Sequence, residues 1–201
     1  MGVISNGTTL LDAGALDSGI ASGGMVLIST TSISSGTSTV SITSGINSTY
    51  KEYIFKFINI HVSANAYLQV NFRDGSSAYD ATKTSTMYYA GQKEDDSETN
   101  FAHGAGNSLD NATGIQRLTS GEFDVSNDCS LSGYLCLYDP SNTTFVKHFV
   151  ANTQYMTNSP SSENSYIAGY LNTTAAIDGV QFSMSSGNID SGSISLYGIS
   201  W

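Results

Sequence analysis

The residues able to do chemistry in this chain are few and scattered. Three histidines, His61, His103 and His148, stand far apart. A metal site needs His, Cys or carboxylate ligands gathered at short spacings, and none of the three has another ligand at i+2 or i+4. His61 and His148 fall in strand-like runs, where a hydrogen-bonded structural role fits best. His103, in the loop His103-Gly104-Ala105-Gly106, is the freest of the three. The acidic run Glu94-Asp95-Asp96-Ser97-Glu98 lacks the spaced pattern and the glycine of a calcium-binding loop, and reads as a solvated turn. No serine sits in a Gly-x-Ser-x-Gly elbow between a strand and a helix, and no glycine-rich phosphate loop occurs. No catalytic, metal or cofactor set is therefore expected, and no cofactor. Cys129 and Cys136 either bridge a hairpin or stay as free buried thiols, and the second fits an ordinary core better.

What remains is surface chemistry. Tyrosines cluster at Tyr88-Tyr89 and recur at Tyr79, Tyr155, Tyr166, Tyr170 and Tyr197. Rings with a polar tip, set among Asn and Ser, suit adaptable recognition surfaces, sugar-binding ones included. The plainer reading is that most of them cover strand edges.

The elements that position these groups read as strands. Leu68, Val70 and Phe72 alternate with polar residues, as do Val180, Phe182 and Met184, and Ile194 with Leu196. Further strands are expected at Met25–Ser29, Thr39–Ile42, Tyr134–Tyr138, Phe145–Ala151 and Tyr166–Leu171. Tyr53–Val62 is the most apolar run. Ile54, Ile58, Ile60 and Val62 stand against Phe55 and Phe57, which makes both faces apolar and places the strand centrally or between subunits. Turn formers separate the runs, as at Asp74-Gly75-Ser76-Ser77 and Ser185-Ser186-Gly187-Asn188. The one helical candidate is a short segment from Leu10 to Leu16. The long polar interval Gly91–Asn111 reads as a functional loop. The expectation is an all-β fold, a two-sheet sandwich of jelly-roll type. Residues 1–24 form an N-terminal arm and residues 25–201 the main domain.

Composition narrows the partners. The 201 residues carry 17 acidic against 7 basic side chains, a net charge of −10. Nucleic acid and anionic membrane both call for clustered Lys and Arg, so neither is an expected partner. No apolar run reaches the ~20 residues of a membrane span. Charged residues make up 12% of the chain while hydrophobic residues reach 39%, enough for a packed core. The start, Met1-Gly2-Val3-Ile4-Ser5-Asn6, shows no signal-peptide pattern. The Asn-x-Ser/Thr triplets at Asn6, Asn47, Asn111, Asn142 and Asn172 read as by-products of a Ser/Thr/Asn-rich chain.

The stretch from Phe182 to Ile199, with its Ser-Gly-Asn-Ile turn and its ending Leu196-Tyr197-Gly198-Ile199, resembles the closing strand pair of a virion structural protein family of marine tailed phages, cyanophages especially. Ser48 to His61, Thr143 to Phe149 and Gly169 to Ile177 resemble the same family, and Trp201 extends its usual ending. The resemblance implies a jelly-roll-like domain on the outer surface of a virion, assembled as a homotrimer. The protein would be made in the host cytoplasm without a signal peptide. It implies a non-enzymatic structural protein, a capsid decoration (cement or head-fibre) protein meeting the major capsid protein or tail components. The alternative is a tail-fibre or receptor-binding module for host-surface glycan. In the structural reading Leu10, Leu11, Met25, Leu27, Phe57 and Ile58 are the candidate shell or subunit contacts. In the glycan reading the surface is Tyr88, Tyr89 and His103.

Overall fold

A computed structural model describes residues 3–12, 15–16 and 24–200. The chain is all-β, and every strand pairing is antiparallel. A small sheet comes first, in the order β1 (Val3–Ser5), β2 (Thr8–Asp12), β3 (Ala15–Leu16). The short helix expected over Leu10 to Leu16 is replaced by β2 and β3. Asn6 and Gly7, both at positive φ (47° and 80°), make the two-residue turn between β1 and β2. Asn-Gly is the pair that suits a tight hairpin, because both central residues must take left-handed backbone.

The main body is two sheets packed face to face. The larger contains β4 (Gly24–Ile33), β6 (Glu52–Val62), β8 (Lys83–Lys93), β9 (Thr99–His103), β11 (Leu131–Tyr138), β12 (Lys147–Met156), β13 (Ser161–Leu171) and β15 (Ile189–Ser200), in the order β4-β15-β6-β11-β12-β13-β8-β9. The smaller contains β5 (Thr39–Ile42), β7 (Leu68–Arg73), β10 (Gln116–Arg117) and β14 (Gly179–Met184), in the order β10-β7-β14-β5. Their inner faces interlock through aromatic rings. Phe182 of β14 meets Phe55 and Phe57 of β6 edge-on, with centroids 5.5 and 5.1 Å away, and Phe72 of β7 meets Phe149 of β12 at 5.2 Å. Each ring removed from water contributes roughly 2–3 kcal/mol.

The apolarity of both faces of β6 has a local cause. The strand carries a bulge at Ile58–Asn59: Phe57 pairs with Gly133 and Ile60 with Leu131, so one residue is extra on β6. Before the bulge the inward residues are Tyr53, Phe55 and Phe57; after it they are Ile60 and Val62. One buried face has thus changed phase midway. β6 is central in its sheet, as expected, and part of its second apolar face comes from this change of phase. Asn59 takes left-handed backbone at φ 48°, and Gly192 opposite it at φ 112°. A Cβ on Gly192 would lie 2.5 Å from the Asn59 carbonyl oxygen, so only glycine fits there.

The polar interval from Gly91 to Asn111 is also more ordered than a loop. β8 runs through Lys93, turns over the acidic residues and returns as β9, with Lys93 N–H donating to the Glu98 carbonyl at 3.0 Å. A single 3-10 turn at Ala105–Asn107 follows, and the chain folds back so that Ser85 N–H donates to the Leu109 carbonyl.

Two lysines lie within the sandwich. Lys147 and Lys83 flank Leu171 in one cross-strand row of the inner face and are wholly buried. Each ammonium donates to loop carbonyls, Lys83 to Gly114 at 2.7 Å and Lys147 to Thr173 at 2.8 Å and Asn142 at 3.1 Å. A buried charge persists only where such acceptors replace water.

Candidate interaction surface

The smaller sheet covers one face of the larger sheet. The other face is open, and its side chains fall into rows set by strand register. One row runs Leu27, Tyr197, Ile54, Cys136, Val150, Ala168. On one side of it the next row runs Lys56, Tyr134, Asn152, Tyr166, Tyr88. On the other side lie Ile199, Glu52, Tyr138, His148 and Tyr170, with Tyr138 directly beyond Leu137, the partner of Phe149. The large apolar and aromatic residues that remain open to solvent are concentrated here: Met25, Leu27 (56% exposed), Ile58 (51%), Tyr88, Phe101 (75%), Tyr134, Tyr138 and Tyr166.

The rings pack against one another. Tyr88 stacks on Tyr166 with centroids 5.1 Å apart and planes 9° from parallel, and Phe101 leans on Tyr88 from the other side at 5.8 Å. Neighbouring strands are about 4.8 Å apart, so rings stacked across them stand up from the sheet and present edges. Amides fill the spaces between: Asn152 Nδ2 donates to Asn164 Oδ1 at 2.9 Å, and Gln154 Nε2 to Ser162 Oγ at 2.9 Å. Lys56 reaches over the Tyr197 ring, 5.9 Å from its centroid.

Charge is nearly absent from this face. The other Lys, Asp and Glu side chains of these strands point inward or stand at strand ends, as Lys83, Lys147 and Glu163 do in the core. Asp190, at the bulged end, lies 3.6 Å from His61 Nδ1. Glu52 and Lys56, both on β6, are left on the open face, and among the described residues neither has an ion-pair partner. Burial pushes the Cys136 thiol up to about 11, aided by the nearby Glu52 carboxylate. Burial also raises the Tyr134 and Tyr138 hydroxyls above the usual tyrosine value.

The residues singled out in the sequence divide between faces. Tyr88 and His103 are cross-strand neighbours on the open side, and His103 Nε2 lies 3.3 Å from Thr86 Oγ1. Tyr89, next along β8, belongs to the opposite face and pairs with Ala102 and Ser165, so Tyr88 and Tyr89 do not form one surface. Met25, Leu27 and Ile58 are exposed on the open side. Phe57 is 1% exposed against Phe182 in the core, out of reach of any partner of the folded chain. The side chains of Leu10 and Leu11, on β2, lie outside the described residues, as does Trp201. His61 Nε2–H donates to the Ser126 carbonyl at 3.1 Å, and His148 sits exposed beside Tyr170. Cys129 and Cys136 are free, buried thiols, and burial also pushes Cys129 up to about 11.

A polar cluster inside the sandwich has no counterpart in the sequence reading. Glu163 on β13 accepts from the hydroxyls of Tyr155 and Ser120. The backbone N–H of Gly121 donates to the Tyr155 oxygen at 2.8 Å, and that of Ser120 to Ser165 Oγ at 3.1 Å. Burial, followed by the Glu163 charge, holds the Tyr155 hydroxyl well above its ordinary pKa. These groups find partners within the cluster, although the buried Thr119 hydroxyl of the same loop has none, and the contacts pin the 118–122 loop to the inner face. The signal for it is two polar residues, Glu163 and Ser165, at inward positions of a strand.

No protein-family model, no curated protein and no solved structure matches the chain.

Proposed function

We propose that this chain is a structural protein of the outer surface of a tailed-phage virion, a capsid decoration or head-fibre protein that acts by assembling with other virion proteins. The observation that carries this reading is the open face of the eight-stranded sheet. It is broad, ordered by backbone pairing and rich in tyrosine. It is also almost free of charge, in a chain whose net charge is −10. Interface centres differ from ordinary surface in this way, enriched in aromatic residues and depleted in charge. Contiguous exposed apolar area on a sheet marks a place where another molecule sits.

Recognition of host-surface glycan, from a head or tail fibre, is the second reading. It draws on Phe101, which leaves most of its ring open, and on the Asn152–Asn164–Gln154 amides. The assembly reading is preferred because one face of the Tyr88 ring is stacked on Tyr166 and Phe101 leans against it, which leaves less ring face for a sugar to lie on.

Immunogold electron microscopy on purified virions of the encoding phage, with antibody against this chain, tests the proposal. Label over the head supports decoration. Label confined to the tail replaces it with receptor binding, and unlabelled virions overturn the virion assignment altogether.

A further inference from the structure

We infer that two copies of this chain pack through their open sheet faces, about a two-fold axis that crosses the strands along the row of Ile54. The inference rests on the assembly reading and gives it a specific partner, a second copy of the chain.

The argument is one of self-complementarity. In an isologous contact residue i meets j while j meets i. When two sheets lie face to face, the two-fold axis lies between them. If it runs across the strands, each strand opposes its own copy in antiparallel sense. Set along Ile54, such an axis places each residue of that row over its own counterpart, giving a continuous apolar spine from Leu27 through Ile54 to Ala168. The rows on either side of the spine then exchange partners. Lys56 and Glu52 stand on β6 two positions to either side of Ile54, so each Lys56 falls opposite the second copy's glutamate at 52, and this happens twice. The same operation sets Tyr134 against the tyrosine at 138, and Tyr166 against that at 170. The two charges that lack ion-pair partners in one chain thus become two pairs in the dimer.

The size is sufficient. Seven strands from β4 to β8, about 4.8 Å apart and overlapping over about seven residues centred on the Ile54 row at about 3.3 Å each, offer roughly 650 Å² from each copy, within the range of about 600–1,000 Å² per partner of specific interfaces. A standard interface takes about 800 Å² from each partner. Sheets stacked this way sit about 10 Å apart.

The test is the mass of the full chain in solution, by light scattering or sedimentation over a range of concentrations. The wild type is expected to be a dimer. Glu52→Lys and Lys56→Glu each oppose like charges twice per dimer, and each should weaken association roughly tenfold or more. The double exchange Glu52→Lys/Lys56→Glu restores opposite signs and should restore the dimer, which also shows that the fold tolerates both substitutions. A monomeric wild type overturns the inference, and so does the trimer implied by the sequence resemblance. Single variants that associate like the wild type, or a double variant no better than the singles, also overturn it. Virion labelling is independent of all these outcomes, so failure of the two-fold contact is distinguishable from failure of the virion assignment.

Discussion

Gly198 lies directly beneath the ring of Tyr50, so close that a Cβ on the glycine would sit 2.2 Å from the ring edge. Tyr50 in turn meets Tyr53 edge-on at 5.8 Å, and the Tyr53 hydroxyl donates to the Asn47 carbonyl at 2.8 Å. The glycine of the Leu196-Tyr197-Gly198-Ile199 ending is therefore a packing requirement that closes the sandwich over β15. Gly198→Ala should cost about 1–3 kcal/mol through overpacking. Thermal unfolding of the variant beside the wild type checks this, and an unchanged midpoint would remove Tyr50 from its assigned place.

Phe57 and Ile58 are neighbours in sequence with opposite fates. Phe57→Ala should destabilise the fold by about 3–5 kcal/mol, as a large core ring is lost. Ile58→Asp, on the open face, should leave stability within about 0.5 kcal/mol. Urea unfolding of both variants separates a core position from a surface one, and equal losses would contradict the bulge between them.

Lys83 gives stability a particular pH dependence. Burial pushes its ammonium down to about 8 from an ordinary 10.5. Between those two values the unfolded chain binds the extra proton, so stability should rise with pH across that window; below it, burial of the charge is a constant penalty. The two thiols act in the opposite sense above pH 9, because folding raises theirs from 9.0 to about 11. The informative comparison is therefore wild type against Lys83→Met. The variant should lose the rise between pH 8 and pH 10.5, measured by urea unfolding, and a slope identical to the wild type would refute the assignment.

The same thiols should be inert in the native protein. A thiol held near 11 is almost wholly protonated at neutral pH, and the thiolate is the reactive form. Cys129 and Cys136 should resist a thiol reagent at pH 8 in the folded state and react together once denaturant is added. Rapid native labelling would place at least one of them at the surface.

Tyr155→Phe removes the hydroxyl that joins Gly121 N–H to Glu163. The half-buried Gly121 N–H loses its acceptor and the buried carboxylate loses one of its two hydroxyl donors, which should cost about 1–3 kcal/mol. The loop should also loosen, read as faster amide exchange at Ser120 and Gly121. Unchanged exchange there would show that the 118–122 loop is held by other contacts.

The strands with large apolar residues on one face were legible in the sequence. Thr39–Ile42 and Val180–Met184 fall where alternation places them, and Phe145–Ala151 does so within a few residues. β8 was not, because its inward positions are Lys83, Ser85, Met87, Tyr89 and Gly91, which carry hardly any apolar periodicity. That strand is held by pairing on both sides and by the carbonyls around Lys83. β6 was legible as a strand but not in its exposure, since the bulge at Asn59 breaks the period of two. The Asn6-Gly7 hairpin carries a clear local signal that scattered leucines obscured. The open face itself lay beyond reach, because rows across a sheet depend on register between strands distant in sequence.

Of the described strands, β4 has β15 as its single neighbour, and β15 alone joins β4 to β6. The gap between the two earlier strands stays open until a segment more than a hundred residues further along the chain arrives to fill it. Assembly is therefore governed by a distant encounter rather than by hairpins closing in turn, which places this chain among slow folders, on a scale of milliseconds to seconds. Throughout that interval β6 presents a bare strand edge, and it is then that the nascent protein is most exposed to pairing with the wrong neighbour.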